Sequence, residues 1–294
     1  MILKAPSKTF VCGEYGVLAG GQGLVWTHGP SFEMKFSTDQ IPKTGFTPHP
    51  LSPAGQFLSK HSEFFKDYSF EFNDPHQGRG GFGASGAQFL FLWAFLKKKM
   101  GLPMDLETLM KDFKDSDLGA SSGCDVLSQL VGGLAQVNPQ MPVRSRSLLW
   151  PFPHLEVFLI STGVKISTHD HLKNLERSEL EDLKGFGERA SQALEAQKES
   201  DFFGTLQEFR DSLEKKNLVV ESSLKLLSQF QNLAGLRFAK ACGAFGSDTL
   251  LFFVEKEQAN GAVHEFRSRG FEALCLSRPR DDKSLGLVIE GVHD

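Results

Sequence analysis

Short runs of apolar and aromatic residues dominate the start of the chain and predict β-structure. In KTFVCGEYGVLAGGQGLVW two such runs flank a glycine-rich turn, and FEMKFS continues the alternation of apolar and polar residues. The next stretch, TDQIPKTGFTPHPLSPAGQ, contains four prolines. Because proline is excluded from helix interiors and central strands, we expect an exposed loop there.

The middle of the chain has the spacing of helices. Apolar residues from Gln88 to Met100 are accompanied by Lys97, Lys98 and Lys99, and a basic last turn is favourable for the helix dipole. We predict further helices in DLETLMKDFK and after GASSG, and a buried strand in LEVFLIST.

After about Ser167 the pattern changes to amphipathic helices, in NLERSELEDLKGFGERASQALEAQKES, DFFGTLQEFRDSLEKKN and ESSLKLLSQFQNLA. Strand-like segments follow in LRFAKACG, TLLFFVEK, FEALCLS and LGLVIEGV, with a helix near QANGAVHEFRSRG. We therefore expect an open sheet backed by helices in the second half. A chain of 294 residues is long enough for two lobes.

Charge and cysteine content exclude several classes of protein. Lysine and arginine number 32 against 36 acidic residues, so the chain lacks the basic excess that binding to nucleic-acid backbones requires. The four cysteines are far apart and fit neither a zinc site nor a disulfide framework. MILKAPSKTF lacks the apolar core of a secretion signal, and FLFLWAFL is too short for a membrane span. We expect a cytoplasmic protein without nucleic-acid or membrane partners.

A glycine-rich segment, GRGGFGASG, directly precedes the apolar helix. Backbone N–H groups exposed by such a loop, together with the positive end of the helix dipole, favour phosphate binding, and Ser85 would add a hydroxyl. The alternative is a flexible loop with close helix packing. The loop matches neither a Walker A sequence nor a clean G-x-G-x-x-G. Its glycines are Gly78, Gly80, Gly81, Gly83 and Gly86.

Three other segments complete a pattern: APSKTFVCGEYGVLAG at residues 5–20, GASSGCDVLSQLVGG at 119–133 and KACGAFGSD at 240–248. With the Gly78 loop, in this order, they resemble the motifs of the GHMP kinases, the family that includes galactokinase, homoserine kinase and the kinases of the mevalonate pathway. The first resembles A-P-G-K…G-E-H/Y, the Gly78 loop resembles G-L-G-S-S, and the last resembles K-x-T/S-G-A-G-G-G. SGCDV resembles the S-G-x-D segment of the mevalonate-pathway branch.

The resemblance covers nearly the whole chain and implies a fold and an activity. The fold is α+β with two lobes: residues 1–165 with a mixed sheet, helices and the phosphate loop, and residues 166–294 with helices packed on an open antiparallel sheet. The activity is transfer of the γ-phosphoryl group of magnesium-ATP to a mevalonate-pathway acid, phosphomevalonate first and mevalonate second. ATP and this small-molecule acceptor would meet in the cleft between the lobes of a monomer or homodimer.

Two charged residues take catalytic roles under this resemblance. Asp125 stands at the aspartate of S-G-x-D and is expected to accept the proton of an acceptor hydroxyl. Lys8 matches the lysine of A-P-G-K and would keep that aspartate ionised and stabilise developing charge. The alternatives are a helix-capping role for Asp125 and a surface charge at a strand end for Lys8.

The resemblance also assigns nucleotide and metal positions. Ser85 matches the second serine of the phosphate motif and would bind magnesium, while Ala84 and the glycines of the loop would bind the triphosphate. The alternative for Ser85 is an ordinary serine at a helix N-terminus. Where the family has a metal-binding glutamate this chain has Lys114, so Asp115 is a tentative second ligand, with a solvated acid at a helix end as the alternative.

Positions that match the acceptor-facing residues of the family are Glu14, Tyr15, Thr168, Gly243 and Ala244. Each also allows a purely structural role. Cations that are candidates for binding a substrate phosphate are Lys165, Arg79 and Lys240. His169 and His171 have no metal-ligand spacing and are expected to be exposed.

The sequence departs from the family pattern at three positions. Ser7 replaces a glycine of the first motif, Ala84 replaces the first serine of the phosphate motif, and Phe245 replaces a glycine of the last motif. A phenylalanine there would crowd the backbone that approaches the phosphates. These departures leave open a second hypothesis, a GHMP-fold protein that binds nucleotide without turnover.

Overall fold

The residues that the computed structural model describes, 1–38, 46–117, 121–163, 177–277 and 286–291, form two antiparallel sheets. The first sheet has the order β10-β1-β2-β4-β5, and β3 pairs with the second half of β2. Its strands are β1 (Ile2–Cys12), β2 (Gly23–Ser37), β3 (Ser69–Asn73), β4 (Leu134–Asn138), β5 (Arg144–Leu148) and β10 (Val288–Glu290). The predicted pair of strands around a glycine-rich turn is confirmed as β1 and β2.

The second sheet has the order β7-β8-β6-β9. Its strands are β6 (Leu155–Ser161), β7 (Leu236–Cys242), β8 (Thr249–Glu255) and β9 (Ala273–Cys275). The buried strand predicted in LEVFLIST is confirmed as β6. Val157 and Leu159 face a core shared with the first sheet, whereas Phe158 and Ile160 face a smaller core on the other side.

Sheet membership does not follow a boundary at residue 165. β6 precedes that position but pairs within the second sheet, whereas β10 pairs with β1 in the first. The expectation that LGLVIEGV belongs to the sheet of the second half is wrong, because this segment covers the edge that β1 would otherwise leave open. The division into lobes 1–165 and 166–294 stays a prediction.

Helices α1 (Pro53–Lys60), α2 (Ser62–Phe65), α3 (Ala84–Lys99), α4 (Leu106–Lys114) and α5 (Cys124–Val131) accompany the first sheet. α3 confirms the predicted buried helix, although it begins at Ala84 rather than Gln88; its residues from Phe89 to Leu96 are buried between the sheet, α1 and α5. The proline-rich segment is not a loop throughout. Ser52 caps α1 by accepting the Gly55 N–H at 3.1 Å, and Pro53 takes the first helical position, where no N–H is needed.

Helices α6 (Phe186–Glu195), α7 (Glu199–Lys215), α8 (Glu221–Ser228) and α9 (Ala259–Ser268) belong to the second half. α6 packs on β2 and β4, and α7 packs on α6 and β7, so this helix pair joins the two sheets through one core. α8 and α9 cover the other face of the second sheet. Within the described ranges, no helix has both the length and the apolar character to cross a lipid bilayer.

Candidate active site

A cavity of about 330 Å³ lies where the glycine-rich segments of the sequence come together. Its wall is formed by the turn after β1, the loop before α3, the N-terminus of α5 and the turn after β7. The predicted site residues that line it are Lys8, Glu14, Tyr15, Gly80, Gly81, Gly83, Ala84, Ser85, Asp125 and Gly243. The sequence analysis did not assign six further lining residues to the site, namely Phe10, Val17, Leu18, Ser121, Ser122 and Asp248.

Other predicted residues lie beside the cavity. Gly78 begins the loop, where its N–H donates to the Asp74 carboxylate at 2.8 Å, and Gly86 lies in the first turn of α3. Ala244 follows Gly243 in the short 3-10 turn Ala244–Gly246. Arg79, a candidate cation for a substrate phosphate, lines the cavity itself and is exposed. Outside the described residues lie Thr168, Lys165, His169 and His171.

The N-terminus of α3 presents backbone N–H groups to the cavity. Gly83 precedes the helix with a φ of 92°, and no side chain caps the first turn. A Cβ at Gly83 would lie 2.9 Å from Cγ of Lys8, so only glycine lets the lysine side chain cross the loop this closely. Ala84 and Ser85 follow, with Ser85 exposed. Uncapped N–H groups at the positive end of a helix dipole favour an anion such as phosphate.

Asp125 lies in the first turn of α5 and packs against α3. Gly123 is the residue that precedes this helix, so Asp125 is not its N-cap, and the capping alternative is wrong. A Cβ at Gly86 would lie 2.9 Å from Asp125 Oδ2, which shows how closely the carboxylate approaches α3. Its other oxygen, Oδ1, accepts the Val126 N–H at 3.1 Å. Asp125 is therefore a half-buried acid with a fixed orientation at the cavity wall.

Lys8 lies on β1, with its ammonium group 5.3 Å from the centre of the Phe10 ring. Its backbone N–H donates to Phe82 O at 3.0 Å, which ties β1 to the loop before α3. Lys8 and Asp125 line the same cavity, but within the described part of the chain their charged groups form no ion pair at 4.0 Å or less. The expected influence of Lys8 on the ionisation of Asp125 would therefore act across the cavity and not through a direct ion pair, and it stays a prediction.

A buried ion pair joins the two sheets beside the cavity. Lys240 on β7 is completely buried and donates to the carboxylate of Glu14, which is 8% exposed. Burial alone lowers the pKa of Lys240, but attraction to the Cys242 and Glu14 side chains outweighs burial and raises the pKa above its usual range. The ammonium group also lies 5.5 Å from the centre of the Phe209 ring. The candidate role of Lys240 in binding a substrate phosphate is wrong, because the side chain points into the core and pairs with Glu14.

Asp248 is held between the loop before α3 and the turn after β7. A Cβ on Gly81 would lie 2.6 Å from Asp248 Cβ, and one on Gly243 would overlap Asp248 Oδ2. The Asp248 N–H donates to Cys242 O at 3.2 Å, and its carbonyl oxygen accepts the Thr162 N–H at 3.0 Å. Asp248 thus fixes the spacing of two glycine-rich segments. Sequence reasoning missed this role because the contacts with Gly81 and Thr162 join segments that are far apart in the chain.

Tyr15 and Phe245 contact each other in backbone conformations that are unusual for their type. Their φ angles are 68° and 58°. Phe245, with ψ 21°, lies in the left-handed helical region, which costs a non-glycine residue about 1–2 kcal/mol, whereas Tyr15, with ψ −48°, lies outside it. The Tyr15 hydroxyl accepts the Phe245 N–H at 2.9 Å, and burial raises the pKa of Tyr15, which keeps this hydroxyl protonated at neutral pH. Phe245 is not among the described residues that line the cavity, so the expected crowding by its ring is not seen.

The described residues offer few ligands for a metal ion. Among them, no group of three or more His, Cys, Asp or Glu side chains is arranged to hold one. Asp115, the tentative second ligand, follows the last residue of α4 and does not line the cavity. Its carboxylate lies 3.8 Å from the Nζ atom of Lys60. The Ser85 hydroxyl and the Asp125 carboxylate do lie at the cavity wall. Because magnesium commonly takes most of its ligands from water and nucleotide phosphates, these two donors fit an ion that enters with the nucleotide.

No family model matches this sequence, and no curated protein matches it. Solved structures are similar at low sequence identity. Phosphomevalonate kinase of Streptococcus pneumoniae, in complex with phosphomevalonate and AMPPNP, is 14% identical and superposes with a TM-score of 0.73 over 94% of this chain and 99% of its own. Mevalonate kinase of Methanococcus jannaschii is 11% identical, with a TM-score of 0.66 over 94% and 97%. Galactokinase of Lactococcus lactis, complexed with galactose, is 10% identical, with a TM-score of 0.69 over 93% and 92%. At these identities the likeness establishes the fold.

Proposed function

We propose that this chain, whose fold is that of the GHMP kinases, is a magnesium-ATP-dependent kinase that phosphorylates a small mevalonate-pathway acid. Phosphomevalonate is the proposed acceptor, and mevalonate is the second candidate. The observation that carries the proposal is the convergence of two helix N-termini, Lys8 and the Asp125 carboxylate on one cavity. One fold hosts many functions, so this arrangement of residues, and not the fold, is the support for the activity.

The nucleotide would be held by charge and geometry. Phosphoryl transfer requires chiefly positioning of the reactants and neutralisation of the transferring group. Backbone N–H groups at the start of α3 and the Ser85 hydroxyl would bind phosphate oxygens, and Lys8 would supply positive charge. Magnesium, held by Ser85 and Asp125 when bound, would neutralise part of the charge on the β- and γ-phosphates.

Asp125 is proposed to act on the acceptor. An acceptor hydroxyl must lose its proton as its oxygen bonds to the γ-phosphorus and the bond from that phosphorus to the bridging oxygen of ADP breaks. The Asp125 carboxylate at the cavity wall can accept this proton. A phosphate acceptor needs a base less, since its second pKa is about 6 and it is largely ionised at neutral pH. Asp125 would therefore matter more with mevalonate than with phosphomevalonate.

The choice of phosphomevalonate has two supports. One is the likeness over nearly the full length of both chains to an enzyme that holds phosphomevalonate and AMPPNP together. The other is the form of the motifs GEYGVL, SGCDV and GAFGSD, which resemble the phosphomevalonate kinases more than the mevalonate kinases. Both supports concern the likeness of the chain, so the acceptor needs a direct test.

A second candidate function is nucleotide binding without turnover. Two observations favour it. Ala84 removes one hydroxyl from the loop that would hold the phosphates. The Phe245 N–H, which belongs to the last glycine-rich motif, donates to the Tyr15 hydroxyl and not to a ligand in the cavity. A protein of this kind would keep the phosphate loop but would have no need of a base for an acceptor hydroxyl.

Substrate-dependent release of ADP from magnesium-ATP tests these proposals. The acceptors to compare are mevalonate, phosphomevalonate, diphosphomevalonate, homoserine and galactose. Turnover with phosphomevalonate supports the proposal, turnover with mevalonate alone corrects the acceptor, and turnover only with homoserine or galactose overturns the pathway. If no acceptor supports turnover while ATP raises the melting temperature, nucleotide binding without turnover is the function.

A further inference from the structure

The base of the phosphate loop is closed by two stacked rings. The rings of His76 and Phe82 lie 3.8 Å apart between centroids and are parallel to within 3°. Both residues are buried, with exposures of 8% and 3%. Between them, residues 77–81 form the part of the loop that carries Gly80 and Gly81 of the cavity wall. Stacking therefore holds the two ends of this segment together.

A buried serine anchors the base of the loop to β1. Ser7 is completely buried, and its Oγ lies 2.7 Å from Pro30 O and 2.6 Å from His76 Nε2. A carbonyl oxygen can only accept, so the single hydroxyl proton is donated to Pro30, and the Nε2–H of His76 is donated to Ser7 Oγ. Both polar groups are then satisfied in the core, and the tautomer of His76 is fixed.

The same base is tied to the strand that carries Lys8. Lys8 follows Ser7 in the chain, and its N–H donates to Phe82 O at 3.0 Å. On the other side, the Asp74 carboxylate accepts the N–H of His76 at 2.8 Å, which sets the turn that leads into the loop. The position of the loop relative to Lys8 thus depends on one connected group of contacts.

We propose that His76 is a positioning residue for nucleotide binding. Its hydrogen bond to Ser7 and its stacking on Phe82 hold the phosphate loop at a fixed distance from Lys8, an inference that rests on the proposed kinase function. None of Ser7, His76 and Phe82 is among the described residues that line the cavity, so the effect passes through the loop backbone. The departure at Ser7 from the glycine of the resembling motif is then explained, because glycine offers His76 no hydroxyl.

Four variants separate the parts of this arrangement. Ser7→Ala and His76→Phe remove the same hydrogen bond from opposite sides, and His76→Phe keeps a ring on Phe82. His76→Gln keeps an amide donor near the position of Nε2 but loses the ring. Ser191→Ala on α6 is the matched control, because Ser191 is also completely buried and its hydroxyl donates to Gly187 O at 2.8 Å.

The measurements are the Kd for magnesium-ATP by calorimetry, the KM for the acceptor, and hydrogen–deuterium exchange of residues 77–86 without nucleotide. In Ser7→Ala and His76→Phe we expect Kd to rise about tenfold, the loop amides to exchange faster, and the acceptor KM to stay unchanged. His76→Gln should restore part of the affinity that His76→Phe loses. Ser191→Ala should leave Kd and loop exchange unchanged.

Wild-type affinity and wild-type loop exchange in both Ser7→Ala and His76→Phe would overturn the inference, as would an equal rise in Kd in Ser191→Ala. Failure of the kinase proposal is distinguishable. If the wild-type protein binds no nucleotide, that proposal fails, and loop exchange decides the inference: faster exchange in the variants supports the positioning by His76, and unchanged exchange overturns it. If Ser7→Ala does not fold, His76→Phe and His76→Gln give the same comparison.

Discussion

Replacing Lys240 with methionine should destabilise the protein through the carboxylate that it leaves behind. Methionine has nearly the length of lysine and is tolerated in cores, so packing changes little. Glu14, 8% exposed, would lose its ammonium partner, and its Oε2 already has no hydrogen-bond partner among the described residues. Removing one partner of a buried ion pair costs about 3–5 kcal/mol, and we expect that loss in the free energy of unfolding.

Companion variants separate charge from packing. Glu14→Gln leaves Lys240 buried without its carboxylate and should cost a similar amount, whereas the double variant removes both charges and should recover most of the loss. Lys225→Met is the matched control. Lys225 forms an exposed ion pair with Glu221 at 2.7 Å on α8. Exposed pairs contribute about 0–1 kcal/mol, so this variant should be nearly as stable as the wild type.

Urea unfolding followed by tryptophan fluorescence measures these differences. A loss no larger than that of Lys225→Met would refute the reasoning. A double variant whose loss equals the sum of the two single losses would refute it as well, since the two charges would then not interact.

Asp125→Asn should lose about 10²–10⁴-fold in kcat with a hydroxyl acceptor, measured by ADP release, because an amide cannot accept the hydroxyl proton; an unchanged kcat would contradict its role. Gly86→Ala gains helix propensity, but its methyl group would lie 2.9 Å from Asp125 Oδ2, so we expect activity to fall, and full activity would contradict the described packing. Burial lowers the pKa of His76 in the folded protein; the charge of Asp74 opposes this shift, and the charge of Arg79 adds to it. The unfolded chain therefore binds a proton at His76 more readily, so the free energy of unfolding should decrease as the pH falls below about 6.5. His76→Phe should lose less over that range in chemical denaturation, and identical pH profiles would argue against it.

The sequence predicts those parts of the site that depend on neighbouring residues. A glycine-rich turn followed by an apolar helix is a local pattern, and it predicts α3 and the phosphate loop before it, although the helix begins at Ala84 rather than Gln88. The order of the motifs predicted the fold, which the structural likenesses confirm. It also predicted that Lys8 and Asp125, far apart in the chain, line one cavity.

Other parts of the site depend on contacts that no local pattern encodes. Lys240 is a candidate for binding a substrate phosphate from the sequence, yet strand pairing turns its side chain into the core, where the distant Glu14 offsets its charge. Asp248 is positioned by its close contacts with Gly81 and Gly243, and His76 is positioned by its hydrogen bond with Ser7. The contacts with Gly81 and Ser7 likewise join residues that are far apart in the chain. The composition of β10 does not indicate which of the two sheets it joins. It joins the first sheet because it pairs with the available edge of β1.

The most direct test of the central claim follows the phosphorus atoms by ³¹P NMR. With wild-type protein, magnesium-ATP and phosphomevalonate, the signals of ATP should decrease at the rate at which those of ADP and of a new diphosphate ester appear. The same experiment with mevalonate should give a monophosphate ester if that acid is the acceptor. A spectrum in which ATP persists with both acids, or yields only ADP and inorganic phosphate, would contradict the claim that this cavity joins a γ-phosphoryl group to a mevalonate-pathway acid.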